Sequence, residues 1–125
     1  MIKLTLPLPP GKNVTRQARL SRAGRIYMDG GEDAVKYSLV VQFAVNKLIE
    51  DDPDYKPIPK GAKLAIEAWF IFPSWRFDAD GSYSLLQDCL ARALGFNDLY
   101  VVGFTGHKCV TPGARSCYVE ITEIE

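Results

Sequence analysis

Little in this chain advertises a chemistry. It has one histidine, His107, and three cysteines, Cys89, Cys109 and Cys117, with no CxxC spacing among them. A structural zinc site takes four closely spaced soft ligands, so none is expected, and the cysteines read as reduced thiols. A nucleophile built from His107 and Cys109 would place both on one strand face, without the third, orienting group that activation usually needs. No apolar run approaches the ~20 residues that cross a bilayer. The opening MIKLTLPLPPGK lacks the long apolar region and small-residue cleavage site of a signal peptide. Neither export nor membrane anchoring is expected, and a cytoplasmic setting follows. Net charge is absent too: acidic and basic residues cancel to zero, so no overall basic field points to nucleic acid.

What is present is a globular composition. The chain has 125 residues, 47% hydrophobic and 24% charged, which suits one domain spanning 1–125 with a real core. Charge is unevenly spread. From Lys12 to Arg25 the chain carries Lys12, Arg16, Arg19, Arg22 and Arg25 with no acid between them, whereas Glu50, Asp51, Asp52 and Asp54 cluster in a proline-rich connector. Taken alone, either run is most simply solvated surface.

The period of the apolar residues predicts the elements. IKLTLPL alternates as a half-buried strand and ends at consecutive prolines, which lack the N–H groups a ladder needs. Residues 11–24 read as a basic, glycine-punctuated loop, and GRIYM as a short strand or arm. Asp29 with Glu32 three residues on resembles a capping box. It predicts a helix from about Gly31 to Glu50, with Val35, Leu39, Phe43 and Leu48 turned to the core. KLAIEAWFIF is the strongest strand, with Leu64, Ile66, Ala68, Phe70 and Phe72 on one face, and Pro73 stops it. A second helix is expected over about Ser82–Leu94, with its stripe at Leu85, Leu86, Cys89, Leu90 and Ala93 and Gly95 as its C-terminal cap. YVVGFTGHKCV, TPGAR and SCYVEITEI then read as a closing hairpin. The class is α+β, a mixed sheet packed with two main helices.

One short stretch raises a functional question. In FDADGSYSLLQDCL, Asp78 and Asp80 flank a single alanine just before the second helix, and Asp98 follows that helix. Asp80 is a suitable helix N-cap, with Asp78 left in water. Alternatively, two carboxylates this close repel unless a cation intervenes, and a hard divalent cation relieves that repulsion. A third reading makes them a glycoside-hydrolase acid/base pair, whose carboxyl groups lie roughly 5–9 Å apart. It leaves the basic run and Asp98 unused.

The segment FDADGSYSLLQDCLARALGFNDLYVV resembles the signature region of the RusA family of Holliday-junction resolvases, small metal-dependent endodeoxyribonucleases of bacteria and their phages. That family has D-x-D-N at the start of a helix, a lysine four residues after the second acid, and later two adjacent acids followed by valine. Asp78, Asp80 and Asp98 fall on acids of those motifs, with Val101 and Val102 after them. LPLPPGKN is similar to the family's proline-rich opening, with Asn13 on its asparagine, and GRIYMDGGEDAVKY resembles its arm and first helix. Three positions depart from the pattern. Gly81 stands in place of the asparagine, Ser84 in place of the lysine, and Asn97 in place of the first acid of the later pair.

The resemblance implies a Mg²⁺-dependent nuclease, with Mn²⁺ as a substitute, in which Asp78, Asp80 and Asp98 hold the metal and carry catalysis. It implies a homodimer that cuts paired strands of a four-way DNA junction during recombination and repair. Lys12, Asn13, Arg16, Arg19, Arg22, Arg25 and Arg76 then become DNA-binding residues, and Arg76, Lys108 or the basic loop is left to replace the missing lysine. The departures also admit an alternative, a protein that grips branched DNA and cuts it weakly or not at all. If the basic run binds phosphates, replacing Arg16, Arg19, Arg22 and Arg25 together by alanine weakens DNA binding across sequences. It also flattens the salt dependence by up to ~1 unit of slope for each phosphate no longer neutralised. An unchanged slope in a salt titration of the quadruple variant removes the loop from the interface.

Overall fold

The computed structural model describes residues 1–10, 17–20, 26–29, 31–76 and 80–124. Its elements run β1 (Ile2–Leu6), β2 (Gln17–Leu20), β3 (Ile26–Asp29), α1 (Gly31–Asp51), β4 (Lys63–Phe72), α2 (Asp80–Leu94), a 3₁₀ turn (Asp98–Tyr100), β5 (Val101–Val110) and β6 (Ser116–Ile124). Four strands form one mixed sheet in the order β1-β6-β4-β5, and β2 and β3 form a separate antiparallel ribbon. The α+β class with two main helices is as expected. Among the described residues no helix is long and apolar enough to cross a membrane.

The strict alternation of β4 decides this arrangement. Leu64, Ile66, Ala68, Phe70 and Phe72 are all buried under the helices, while Ala65, Glu67, Trp69 and Ile71 on the opposite pleat are half-buried. Leu4 and Leu6 of β1 and Cys117, Val119 and Ile121 of β6 extend the same apolar face, and Leu86, Cys89, Leu90 and Leu94 of α2 close over it. Each large apolar side chain so buried contributes about 1.5–3 kcal/mol. Gly95, with φ of +77°, ends α2, and its amide and that of Phe96 both donate to the Ala91 carbonyl, at 2.9 and 3.1 Å.

The predicted closing hairpin does not form. β5 pairs in parallel with one edge of β4, and β6 pairs antiparallel with the other, so β4 lies between them. The tight turn after β5 passes over the end of β4. Thr111 N–H donates to the Phe72 carbonyl at 2.9 Å, and Ala114 N–H closes the turn on Thr111 at 3.1 Å, with Gly113 at φ +79°. Sequence neighbours with a turn between them pair readily, but here the most apolar strand gains by hydrogen-bonding on both edges. Parallel pairing of β4 with β5 requires a crossover, which α2 supplies.

Two local expectations also shift. Within the segment read as a loop, Gln17–Leu20 pairs with Ile26–Asp29 as β2 with β3. Asp29, expected as the helix cap, ends β3, and α1 starts at Gly31.

The inward face of α1 is a different one from that predicted. Tyr37, Val41 and Val45 are buried, Leu48 is partly so, and Val35, Leu39 and Phe43 are 62%, 66% and 73% exposed. The two sets share the same four-residue spacing and stand about 200° apart around the helix. Pattern does not choose between them, but Tyr37 does. Its hydroxyl donates to the Pro7 carbonyl at 2.8 Å, which satisfies a buried polar group and ties α1 to the end of β1.

Burial also sets the thiol chemistry. Desolvation raises the Cys89 thiol and pushes Cys117 up to about 12, and none of the three cysteines is in a disulfide. Because the thiolate is the reactive form, the buried Cys89 and Cys117 thiols react slowly near neutral pH. Half-exposed Cys109 is therefore the cysteine that native protein presents to iodoacetamide. Mass spectrometry should find one adduct per native chain and three after unfolding.

Candidate functional site

The crossover β4–α2–β5 sets where the acids can meet. Asp80 opens α2 just beyond the end of β4 where Phe72 lies, and Asp98 opens the 3₁₀ turn that leads into β5. At ~1.5 Å per residue the helix between them is about 22 Å long. Asp98 therefore meets α2 part of the way along it. Tyr83, Ser84, Gln87, Asp88, Asp98 and Phe104 line one cavity of about 350 Å³. Ser84, Gln87 and Asp88 lie one to two turns beyond Asp80, and Asp80, Ser84 and Asp88 succeed one another at four-residue intervals along a single helix face.

Local structure holds each wall in place. Asn97 caps the 3₁₀ turn: its Oδ1 accepts from Leu99 N–H at 2.9 Å, and its carbonyl accepts from Tyr100 N–H at 3.0 Å. This gives Asn97 a role that an aspartate would fill equally, since either side chain offers the capping oxygen. Opposite, the Tyr83 ring stacks on Phe70 at 4.9 Å and tilts against Phe104 at 5.3 Å. Gly106 makes room for it, because a Cβ there would run into the Tyr83 ring.

Asp88 and Asp98 also border a second, larger groove of about 880 Å³, which Lys60, Arg92 and Tyr100 line as well, with Arg92 one turn along α2 from Asp88. Asp88, Lys60 and Arg92 were not among the residues expected from the sequence. The signal for Asp88 was its spacing of eight residues from Asp80. Arg92 was signalled by its four-residue spacing from Asp88 on α2, whereas Lys60 is distant in sequence and carried none.

Of the other expected residues, Asp78, Lys12, Asn13, Arg16, Arg22 and Arg25 lie outside the described residues, and Asp80 and Arg19 are placed by their backbone alone. Ser84 is exposed on α2, on the wall of the small cavity. Arg76 is exposed, and its backbone N–H donates to Ser74 Oγ at 3.4 Å. Lys108 is held at the end of the sheet from which the chain leads to Asp78. Its Nζ donates to the Trp75 carbonyl at 3.0 Å and lies 5.6 and 5.7 Å from the Trp75 and Phe72 ring centroids.

The donors around the small cavity are all oxygen: two carboxylates, the Gln87 amide and the Ser84 hydroxyl. That is the set a hard cation accepts. Among the described residues no three of His, Cys, Asp and Glu come close enough to hold a metal ion.

His107 sits elsewhere, on the sheet face away from the helices. Its Nε2 is 2.7 Å from Glu67 Oε2, both side chains are more than two-fifths exposed, and its ring stacks on Trp69 at 5.1 Å. Glu67 is an orienting partner that sequence spacing did not reveal, because forty residues separate the pair. Beside them the Tyr118 hydroxyl donates to Glu120 at 3.0 Å, and desolvation, then that bond, raises its pKa.

Gly106→Ala tests the cavity wall. With Tyr83 held between Phe70 and Phe104, the added methyl should cost about 1–3 kcal/mol by overpacking, read as a shift in the urea midpoint. Wild-type stability in this variant would mean that the ring gives way. In comparisons with known proteins, neither a scan of protein-family models nor a search of curated sequences finds a match to this chain.

Proposed function

We propose that this protein is a divalent-metal-dependent endodeoxyribonuclease that acts on four-way DNA junctions as a homodimer. The observation that carries the reading is the meeting of Asp98 with the exposed face of α2, the helix that starts at Asp80 and follows Asp78. Asp88 and Asp98 thereby border a single cavity, with Ser84 and Gln87, one to two helical turns from Asp80. The resemblance to RusA resolvases, in motif order and in the three acids, supports the same reading.

In this reading Asp78, Asp80 and Asp98 hold Mg²⁺, and Asp88 stands ready to bond a coordinated water. The metal, when bound, supplies an acidified water and neutralises charge on the scissile phosphate. The chain's own residues do the positioning. Lys60 and Arg92, on the larger groove that the acids also border, contact phosphates beside the cut, and the basic run from Lys12 to Arg25 holds a duplex arm. Two-fold symmetry gives the paired cuts that a junction needs. Unpaired thiols, two of them buried, accord with a reducing, cytoplasmic setting.

One observation favours the second reading, a branched-DNA-binding protein with little activity. The side chain at position 84, on the cavity wall, is a neutral hydroxyl where the resemblance calls for an ammonium. Lys108 and Arg76, near the segment leading to Asp78, are the cations available instead.

Cleavage of a synthetic four-way junction with and without Mg²⁺ separates the two. The nuclease reading expects metal-dependent nicks that Asp78→Asn, Asp80→Asn and Asp98→Asn each abolish while junction binding survives. Wild-type cutting by any of these variants removes that residue from the metal site. Removing one electrostatic group typically costs about 10²–10³ in rate. Ser84→Lys should accordingly raise single-turnover cutting with little change in affinity. If wild type already cuts briskly and Ser84→Lys adds nothing, Lys108→Ala should instead slow cutting by that factor.

A further inference from the structure

One feature of the fold is left unused by the nuclease chemistry, the outer face of α1. Val35, Leu39 and Phe43 are 62%, 66% and 73% exposed and recur every four residues, across the helix from buried Val41 and Val45. Scattered exposed leucines are ordinary, but a continuous stripe of valine, leucine and phenylalanine on a water-facing helix marks an interaction site. We infer that a second copy of this chain docks on it, with the two α1 helices antiparallel about a two-fold axis at Leu39.

The stripe is self-complementary about that axis. Turning one helix over at Leu39 sets Leu39 on its counterpart and Phe43 on the partner's Val35, a large ring against a small side chain. The charged rim matches in the same register. Lys47 of one helix comes to the first turn of the other, where Glu32 and Asp33 are exposed. Glu50 comes to the N-terminal end of the partner helix, whose unpaired amides favour negative charge. A parallel pairing would instead set Glu32 and Asp33 against the partner's own Glu32 and Asp33. The three apolar side chains form the centre of such an interface. The ~800 Å² that each partner buries in a stable complex includes the rim.

The inference deepens the dimeric part of the proposed function and is testable without DNA. Sedimentation equilibrium of the purified chain should show a dimer. Leu39→Glu should weaken it by about 30-fold or more, the effect typical of a central anchor. Circular dichroism should be unchanged, since Leu39 is exposed in the monomer, and the melting temperature should lose its dependence on protein concentration. The axis has its own test in a Cys109→Ser background under mild oxidation. Leu39→Cys alone should cross-link two chains, Val35→Cys alone should not, and Val35→Cys combined with Phe43→Cys should. A wild-type chain that stays monomeric at its highest soluble concentration overturns the inference and assigns the stripe to another occupant. A dimer indifferent to Leu39→Glu overturns it as well, while leaving the two-fold nuclease with a different interface. Loss of junction cleavage in a chain that still dimerises through Leu39 overturns the nuclease reading and leaves this one intact.

Discussion

The fold depends on β4 being satisfied on both edges and covered on one face. Its backbone bonds β5 in parallel and β6 antiparallel, and its alternate side chains from Leu64 to Phe72 lie under α1 and α2. Each of these requirements constrains something else. Parallel pairing with β5 demands a crossover helix, the apolar face demands that this helix lie on it, and the length of the helix then sets how far Asp98 falls from Asp80. The cavity between Ser84, Asp88 and Asp98 follows from how one strand is covered.

That dependence gives the departures from the RusA pattern a physical meaning. Asn97 costs nothing structurally, since its amide oxygen caps the turn that carries Asp98. Ser84 is different, because it puts a neutral hydroxyl on the cavity wall, where the resemblance calls for an ammonium. Other cations stand nearby in the fold: Lys108 on β5, packed against Trp75, Lys60 in the turn before β4, and Arg92 in the last turn of α2. The positive charge around this site is spread over β5, the turn before β4 and the last turn of α2.

Helix α1 shows how one pattern can serve two surfaces. Residues 37, 41 and 45 and residues 35, 39 and 43 have identical spacing, and each set is apolar enough to be buried. A hydroxyl able to reach the Pro7 carbonyl turns the first set inward. The second is left facing water, on the side opposite the core.

Much was therefore legible in the residues alone, and for local reasons. Alternation marked β1 and β4, a four-residue stripe marked α2, a glycine marked its end, and the α+β class followed from the order of the elements. Asp78, Asp80 and Asp98 were legible as acids beside a helix because residue type and spacing are themselves sequence properties. Strand order was not, since a short turn between β5 and β6 looks the same whether the strands pair or flank a third. Nor was the inward face of α1, the bond between Glu67 and His107, or the grouping of Lys60 with Asp88 and Asp98. Those were decided by packing, because only a completed sheet determines which edges are occupied and which distant residues are brought to the same groove.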